Sequence, residues 1–231
     1  MELLAQGIRE ALGLLLSLDP ETLRITALSL QVSGAATLLS LLVGIPAGTA
    51  LALADFPGQR VFIGFVNTGM GLPPVVVGLV VTVFLWRSGP LGSWELLYTP
   101  AAMVLAQAVL AAPIVMGITL AAIQQLPQAL RLQILALGAS RAQMAWTLMK
   151  EARLPILAAV MAGFGGVISE VGAAIMVGGN IKGHTRVLTT AMVLETSKGN
   201  FAAAIALGII LLAFACVINL VLTGIQQRSR G

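Results

Sequence analysis

ITALSLQVSGAATLLSLLVGIPAGTALALA, Ile25 to Ala54, runs from end to end without an Asp, Glu, Lys, Arg or His. A helix rises about 1.5 Å per residue and the hydrocarbon core of a bilayer is about 30 Å thick, so about 20 such residues cross it. The stretch is long enough to be a transmembrane helix. Val61 to Trp86 is equally free of charge, as are stretches within Leu96 to Leu130 and within Phe201 to Gln227. Leu154 to Ile181 carries a single charge, Glu170. Composition agrees: of 231 residues 58% are hydrophobic and 10% charged, and the mean hydropathy is +0.98, far above a soluble domain. The reading is an all-α integral membrane protein of about five transmembrane helices. Five apolar helices fold together, so residues 1–231 are expected to form a single transmembrane domain.

The segment before the first span reads differently. Leu4, Ile8, Leu12 and Leu15 recur at helical spacing with Arg9 and Glu10 opposite, the pattern of a helix lying in the membrane interface. Glu2 stands where a secretory signal carries cations, and the apolar core from Ala11 to Leu18 is too short to span. Asp19, Pro20 and Glu21 then supply an N-cap, a first-turn proline and a first-turn acid for the first span. The one cysteine, Cys216, falls in the last span, so no intrachain disulfide can form. The net charge is +4, but its placement matters more than its size. Arg131, Arg141, Lys150 and Arg153 lie between spans three and four. With that loop cytoplasmic, Arg60, Arg228 and Arg230 join them, while Arg9, Arg24, Arg87, Lys182, Arg186 and Lys198 lie outside. That puts seven of the thirteen basic residues inside, a thin positive-inside margin.

The loop between spans three and four contains LGASRAQMAWTLMKEARLP, Leu137 to Pro155. Pro127 suits the first position of a helix and Gly138 the residue past its end, so Pro127 to Leu137 reads as one helix. Ser140 and Gln143 make a capping box that starts a second helix, which Pro155 punctuates. In that second helix Ala142, Ala145, Trp146 and Met149 share a face, flanked by Arg141 and Lys150. Three readings compete. The segment is an amphipathic linker on the membrane, a DNA-reading helix-turn-helix, which has no core of its own here, or an element that fits a groove on a soluble partner.

Leu137, Gly138, Ala139 and Ser140, followed downstream by Leu154 and Pro155, resemble the cytoplasmic loop signature of ABC importer permeases, whose fuller form is EAA, three residues, G, then LP. Leu132, Gln133 and Ile134 stand at the EAA positions, and the LP arrives about one helical turn later than usual. GMGLPPVVVGL, Gly69 to Leu79, and EVGAAIMVGGNIKGHTRVLTTAMVLETSKG, Glu170 to Gly199, are similar to the corresponding segments of oxyanion permeases. The tungstate type is the closest, with molybdate and sulfate permeases as near relatives. The resemblance implies the type I ABC importer permease fold and a subunit that imports an oxyanion, most closely tungstate, by alternating access. It implies partners too: ABC ATPase subunits that bind ATP and Mg, an extracytoplasmic oxyanion-binding protein, and a second copy of the chain in a homodimer. On this reading residues 127–154 form a cytoplasmic coupling loop that presents Leu137, Gly138, Ala139, Ser140, Ala142, Trp146 and Met149 to the ATPase. The home of such a protein is the prokaryotic cell (inner) membrane.

No nucleotide, catalytic or metal site is expected in the chain itself. GGNIKGHT, Gly178 to Thr185, places Lys182 before Gly183, whereas a phosphate loop needs Gly, Lys, then Ser or Thr. His184 is the only histidine, too few for a Ser, His and Asp set or a metal cluster, and nothing points to nucleic acid. Gly44 and Gly48 are spaced for close helix packing. Pro73 and Pro74 sit inside a charge-free span, where they either break the helix beside the pathway or only kink it. Glu170, preceded by Ser169 at the candidate gate, is the sole acid within a span. A carboxylate facing the path repels a dianion, so a structural role, neutral or hydrogen-bonded near the gate, is favoured over substrate contact. Asn180, Lys182, His184, Thr185 and Arg186 follow the fourth span as an electropositive vestibule, or, for Lys182 and Arg186, as interfacial anchors. An ion-coupled secondary transporter needs polar groups in several spans, and only Glu170 qualifies. A non-transporting membrane scaffold is the blander rival.

Overall fold

The computed structural model describes residues 2–17 and 19–228. Arg230 lies outside them, as do the side chains of Leu4, Leu15 and Arg228. The described chain is helical: α1 (Glu2–Leu16), α2 (Pro20–Leu53), α3 (Gln59–Met70), α4 (Pro74–Leu85), α5 (Pro100–Gln124), α6 (Gln128–Ala136), α7 (Arg141–Glu151), α8 (Arg153–Ile168), α9 (Gly172–Gly178), α10 (Leu188–Ser197) and α11 (Phe201–Arg228). α2, α5 and α11 are each long and apolar enough to cross a bilayer alone. Two bent pairs, α3 with α4 at 103° and α7 with α8 at 74°, are long and apolar enough only when joined, and in the second pair α8 is the apolar member.

α2 starts as its sequence dictates. The Asp19 carboxylate accepts the Thr22 N–H at 2.8 Å and the Thr22 hydroxyl at 2.7 Å, and Pro20 takes the first turn, where no N–H is needed. The backbone bond from Thr22 is the main cause that holds the Asp19 carboxyl below the ordinary aspartate range. α2 packs along α5 through the two spaced glycines. A Cβ at Gly44 would fall 2.8 Å from Val115 Cγ1, and one at Gly48 would fall 2.5 Å from the Met116 carbonyl oxygen. Along this seam the core forms three successive clusters. It runs from Met103, Ala106 and Val177 at one end, through Ala36, Ala111 and Val167, to Ala52, Leu120, Ile123 and Leu148 at the end that carries α6 and α7.

Several expectations need correction. The apolar run Leu154 to Ile181 is not one continuous span: α8 stops at Ile168 and the short α9 begins at Gly172. The Ser169 hydroxyl bonds back to the Gly165 carbonyl at 2.8 Å, and Glu170 restarts the chain by accepting the Ala173 N–H at 2.8 Å. Pro155 does not end α7. That helix ends at Glu151, Ala152 serves as the junction, and Pro155 sits in the first turn of α8, where its missing N–H costs nothing. Pro127 caps α6 rather than opening it. α1 lies against α11 with Gly7 and Ala11 buried, because a Cβ at Gly7 would collide with Ile205. That leaves Ile8 and Leu12 exposed, as a membrane-facing stripe requires.

Candidate functional site

The hairpin of α6 and α7 is built from local signals that act as read. Gly138 adopts φ +84, and its N–H reaches the Leu135 carbonyl at 2.9 Å while the Ala139 N–H reaches Ile134 at 3.3 Å, a paired closure of the helix end. Ser140 and Gln143 then cap α7 reciprocally, at 2.8 and 3.3 Å. Arg131 Nη2 donates to the Ile123 carbonyl at 2.9 Å and ties the hairpin to α5. The inner face of α7 is anchored by Leu148, fully buried against Ala52, Leu120 and Ile123. Met149 packs partly against the same cluster, so it is only half a member of the outer ridge assigned to it. The outward surface consists of Leu137 at 88% exposure, Trp146 at 59%, Ala142 and Leu132. Lys150 Nζ lies 5.5 Å from the Trp146 ring centroid, a cation–π contact that steadies the exposed indole.

The second feature lies where two spans break. Between α3 and α4 the chain turns through Gly71, Leu72 and Pro73, so the paired prolines mark a break and not a plain kink. Between α8 and α9 it turns through Ser169, Glu170 and Val171. The two breaks meet, since a Cβ at Gly172 would fall 2.7 Å from Val75 Cγ2 and one at Gly78 would fall 2.7 Å from Ala173 Cα. Around them is a cavity of about 160 Å³ lined by Gly69, Leu72, Pro74, Gln107, Gly166 and Glu170, among others. Glu170 is thus hydrogen-bonded, its side chain on Ala173 and its carbonyl accepting the Thr189 hydroxyl at 2.9 Å. Ser169 is exposed beside it. Gln107 is a residue the sequence reading passed over. It is 3% exposed, it lines this cavity, and its Oε1 has no hydrogen-bond partner among the described residues. The available signal was an amide alone in the middle of a charge-free span.

The third feature is a charged collar at the far end of the bundle. Lys182 Nζ lies 2.7 Å from Glu21 Oε2 and Arg186 Nη1 lies 3.6 Å from Glu21 Oε1. These two cations, read from the sequence either as part of an electropositive vestibule or as interfacial anchors, are paired with an acid of α2. Thr185 is fully buried: its hydroxyl donates to the Gly178 carbonyl and accepts the Ile181 N–H at 3.0 Å, so it shapes the turn and does not line a vestibule. Asn180, at φ +51, donates through Nδ2 to the Thr190 carbonyl at 3.2 Å and accepts from Arg186 Nε at 3.3 Å. His184 is exposed, and Arg24, not singled out from the sequence, lines the same pocket. Next to this collar, Lys198 at 2.7 Å is the main cause that holds Glu195 below the ordinary glutamate range.

Apolar helices interrupted around one internal cavity, with a rigid exposed hairpin at one end, are the build of a multi-pass membrane permease. Residues 41–231 match the family described as binding-protein-dependent transport system inner membrane component, and the chain belongs to that family. It is therefore a permease component of an ABC importer in the cell membrane, a class that works with an ATPase and a substrate-binding protein. It is 46% identical over 212 residues to a probable anion ABC transporter permease protein of Haloferax volcanii, covering 90% of this chain and 91% of that one. It is 40% identical over 227 residues to the tungstate uptake system permease protein TupB of Peptoclostridium acidaminophilum, covering 98% and 100%. Its fold matches a chain of the MetNI methionine ABC transporter in inward facing conformations, with a TM-score of 0.73 at 18% identity over 90% of this chain and 95% of that one.

Proposed function

We propose that this chain imports an oxyanion, tungstate first, as one half of a homodimeric permease. The observation that carries the substrate is the likeness to the tungstate permease along essentially the whole chain. The geometry supports transport by alternating access: the break between α3 and α4 and the break between α8 and α9 meet at a partly polar cavity, and such breaks are tolerated in a membrane only where protein or water covers them. The hairpin end faces the cytoplasm, since Arg60, Arg131, Arg141, Lys150 and Arg153 cluster there. Two ATPase subunits receive Leu137, Gly138, Ala139, Ser140, Ala142 and Trp146, with Met149 contributing its exposed part. ATP and Mg belong to those subunits. The chain itself performs no catalysis, holds no metal or cofactor and binds no nucleic acid. Residues 1–231 act as one domain, and an extracytoplasmic binding protein delivers the anion to the collar of Lys182, His184 and Arg186. Asn180 and Thr185 hold that collar in shape, and the path continues past Pro73, Pro74, Ser169 and Glu170.

The test is uptake into proteoliposomes that contain the permease, its ATPase and its binding protein, supplied with tungstate, molybdate or sulfate. ATP-dependent accumulation of tungstate ahead of the other two is expected. Preferential uptake of molybdate or sulfate would overturn the substrate, uptake without the ATPase would make the protein a secondary transporter, and no uptake at all would leave a scaffold.

A further inference from the structure

We propose that the pocket between the start of α2 and the 181–186 turn binds a tetrahedral oxyanion, with Glu21 as a tethered competitor for the same cations. The inference rests on the oxyanion-permease reading above and adds a residue, Arg24, and a regulatory acid to it.

The pocket, about 280 Å³, is lined by Glu21, Arg24, Lys182, Gly183, His184 and Arg186 over an apolar floor of Ile25 and Leu28. Three cations thus line one pocket with a single carboxylate, which pairs with two of them, and the apolar floor concentrates their field. Arg24 is the cation with capacity to spare. It makes no hydrogen bond or ion pair with another described residue, and its guanidinium offers five donors in a fork matched to oxyanions. Gly183 lies against it: that residue adopts φ +76, and a Cβ there would stand 3.6 Å from Arg24 Nη1, an ordinary contact distance. Arg186 is held from behind by Asn180, through Oδ1 at 3.3 Å and the carbonyl at 3.5 Å, so its charge has a fixed position.

Glu21 shows how an anion sits here. Its two oxygens reach separate cations, Oε2 to Lys182 at 2.7 Å and Oε1 to Arg186 at 3.6 Å. The pair is wet, with the Lys182 side chain 68% exposed and that of Glu21 45% exposed, and exposed ion pairs exchange readily. A dianion with four oxygens satisfies Lys182 and Arg186 as the carboxylate does and has oxygens left for Arg24. Two nearby acids are already engaged, Asp19 in capping Thr22 and Glu195 with Lys198 and Asn200; Glu10 lines the adjoining pocket on the other side of this wall. The same tetrahedral chemistry is carried by a free oxyanion and by the phosphate of a lipid headgroup.

Equilibrium dialysis of tungstate against the permease–ATPase complex in zwitterionic nanodiscs, with no binding protein added, tests the site directly. Arg24→Gln is expected to weaken binding about tenfold, the loss of one charge-assisted contact, and Glu21→Gln to strengthen it several-fold. Should Arg24→Gln fail to assemble, Arg24→Lys together with Glu21→Gln carries the comparison. A fall in tungstate binding when phosphatidylglycerol replaces the zwitterionic lipid, absent in Arg24→Gln, identifies the net anionic headgroup of a lipid as a second occupant of the same site. Tungstate binding that neither variant alters, in a complex that still imports the anion, overturns this site and leaves the permease reading standing. Failure of the wild-type complex to import any oxyanion strikes that reading instead.

Discussion

Glu170 is where the chemistry of one side chain and the traffic of an anion come closest. A carboxylate on the path repels what must pass, yet this one lines the cavity with an oxygen committed to the Ala173 N–H. Its work is to restart the chain after the break in the fourth span. An amide oxygen accepts the same bond, so Glu170→Gln should keep assembly and most of the transport. Ala leaves the N–H at the start of α9 without its partner, which costs about 1 to 3 kcal/mol and should lower both the unfolding temperature and uptake. Thermal unfolding in detergent and uptake at saturating ATP for the three proteins decide the matter. A Gln variant that folds as the wild type does and yet is as inactive as the Ala variant would show that the charge, not the bond, is what matters. Glu170 was legible as sequence because an acid in a span stands out, and Gln107 was not, because an amide with an unpartnered oxygen looks the same in a sequence as a satisfied one. The pairing of Glu21 with Lys182 and Arg186 was beyond sequence reading altogether, since it joins opposite halves of the chain.

Single elements were legible where their causes are local. The cap on α2, the closure at Gly138 and the capping box of α7 each depend on residues within a turn of one another, and all formed where the residues stand. The breaks divide the same way. Pro73 and Pro74 announce theirs, while the chain from Ser169 to Val171 contains no proline and breaks through side-chain bonds that composition does not reveal. The hairpin offers two tests at this scale. At Gly138, φ +84 excludes β-branched residues although no atom lies within 4 Å of a Cβ placed there. Gly138→Val should therefore strain the turn by about 1 to 2 kcal/mol and uncouple ATP hydrolysis from transport, whereas Gly138→Asn should work. ATPase activity stimulated by the binding protein reads the difference, and equal coupling in both variants would show that the turn is not under this constraint. On α7 the two faces should separate stability from docking. Trp146→Ala removes an exposed ring, so the permease should keep its melting temperature and lose co-purification of the ATPase. Leu148→Ala opens a void among Ala52, Leu120 and Ile123 and should cost about 2 to 5 kcal/mol of permease stability. The reverse pattern would exchange the faces.

For the whole molecule, the question is what covers the face formed by α3 and α4. α3 has no buried residue in the single chain, although it belongs to an apolar span. Lipid can cover Val61, Phe62 and Phe65. It cannot satisfy the exposed amide of Asn67 or the backbone opened at Gly71 to Pro73, because hydrocarbon offers no hydrogen bonds and irregular backbone at membrane depth must meet protein or enclosed water. Exposed Ser169 and Gly166 lie beside the same cavity, so one contact surface would shield them all. α11 is different: its exposed face is Leu212, Val217, Leu220, Val221 and Ile225, and its Asn219 amide is bonded to the Ala215 carbonyl at 2.9 Å. That face suits lipid. A second copy should therefore meet the first across α3 and α4, closing the cavity between two identical chains. In a Cys216→Ser background, Asn67→Cys is expected to give a cross-linked dimer on mild oxidation in native membranes, and Val217→Cys, on α11, is expected to stay monomeric. Cross-linking through position 217 with none through position 67 would move the partner to α11 and leave the broken backbone of α3 and α4 to be covered by water alone.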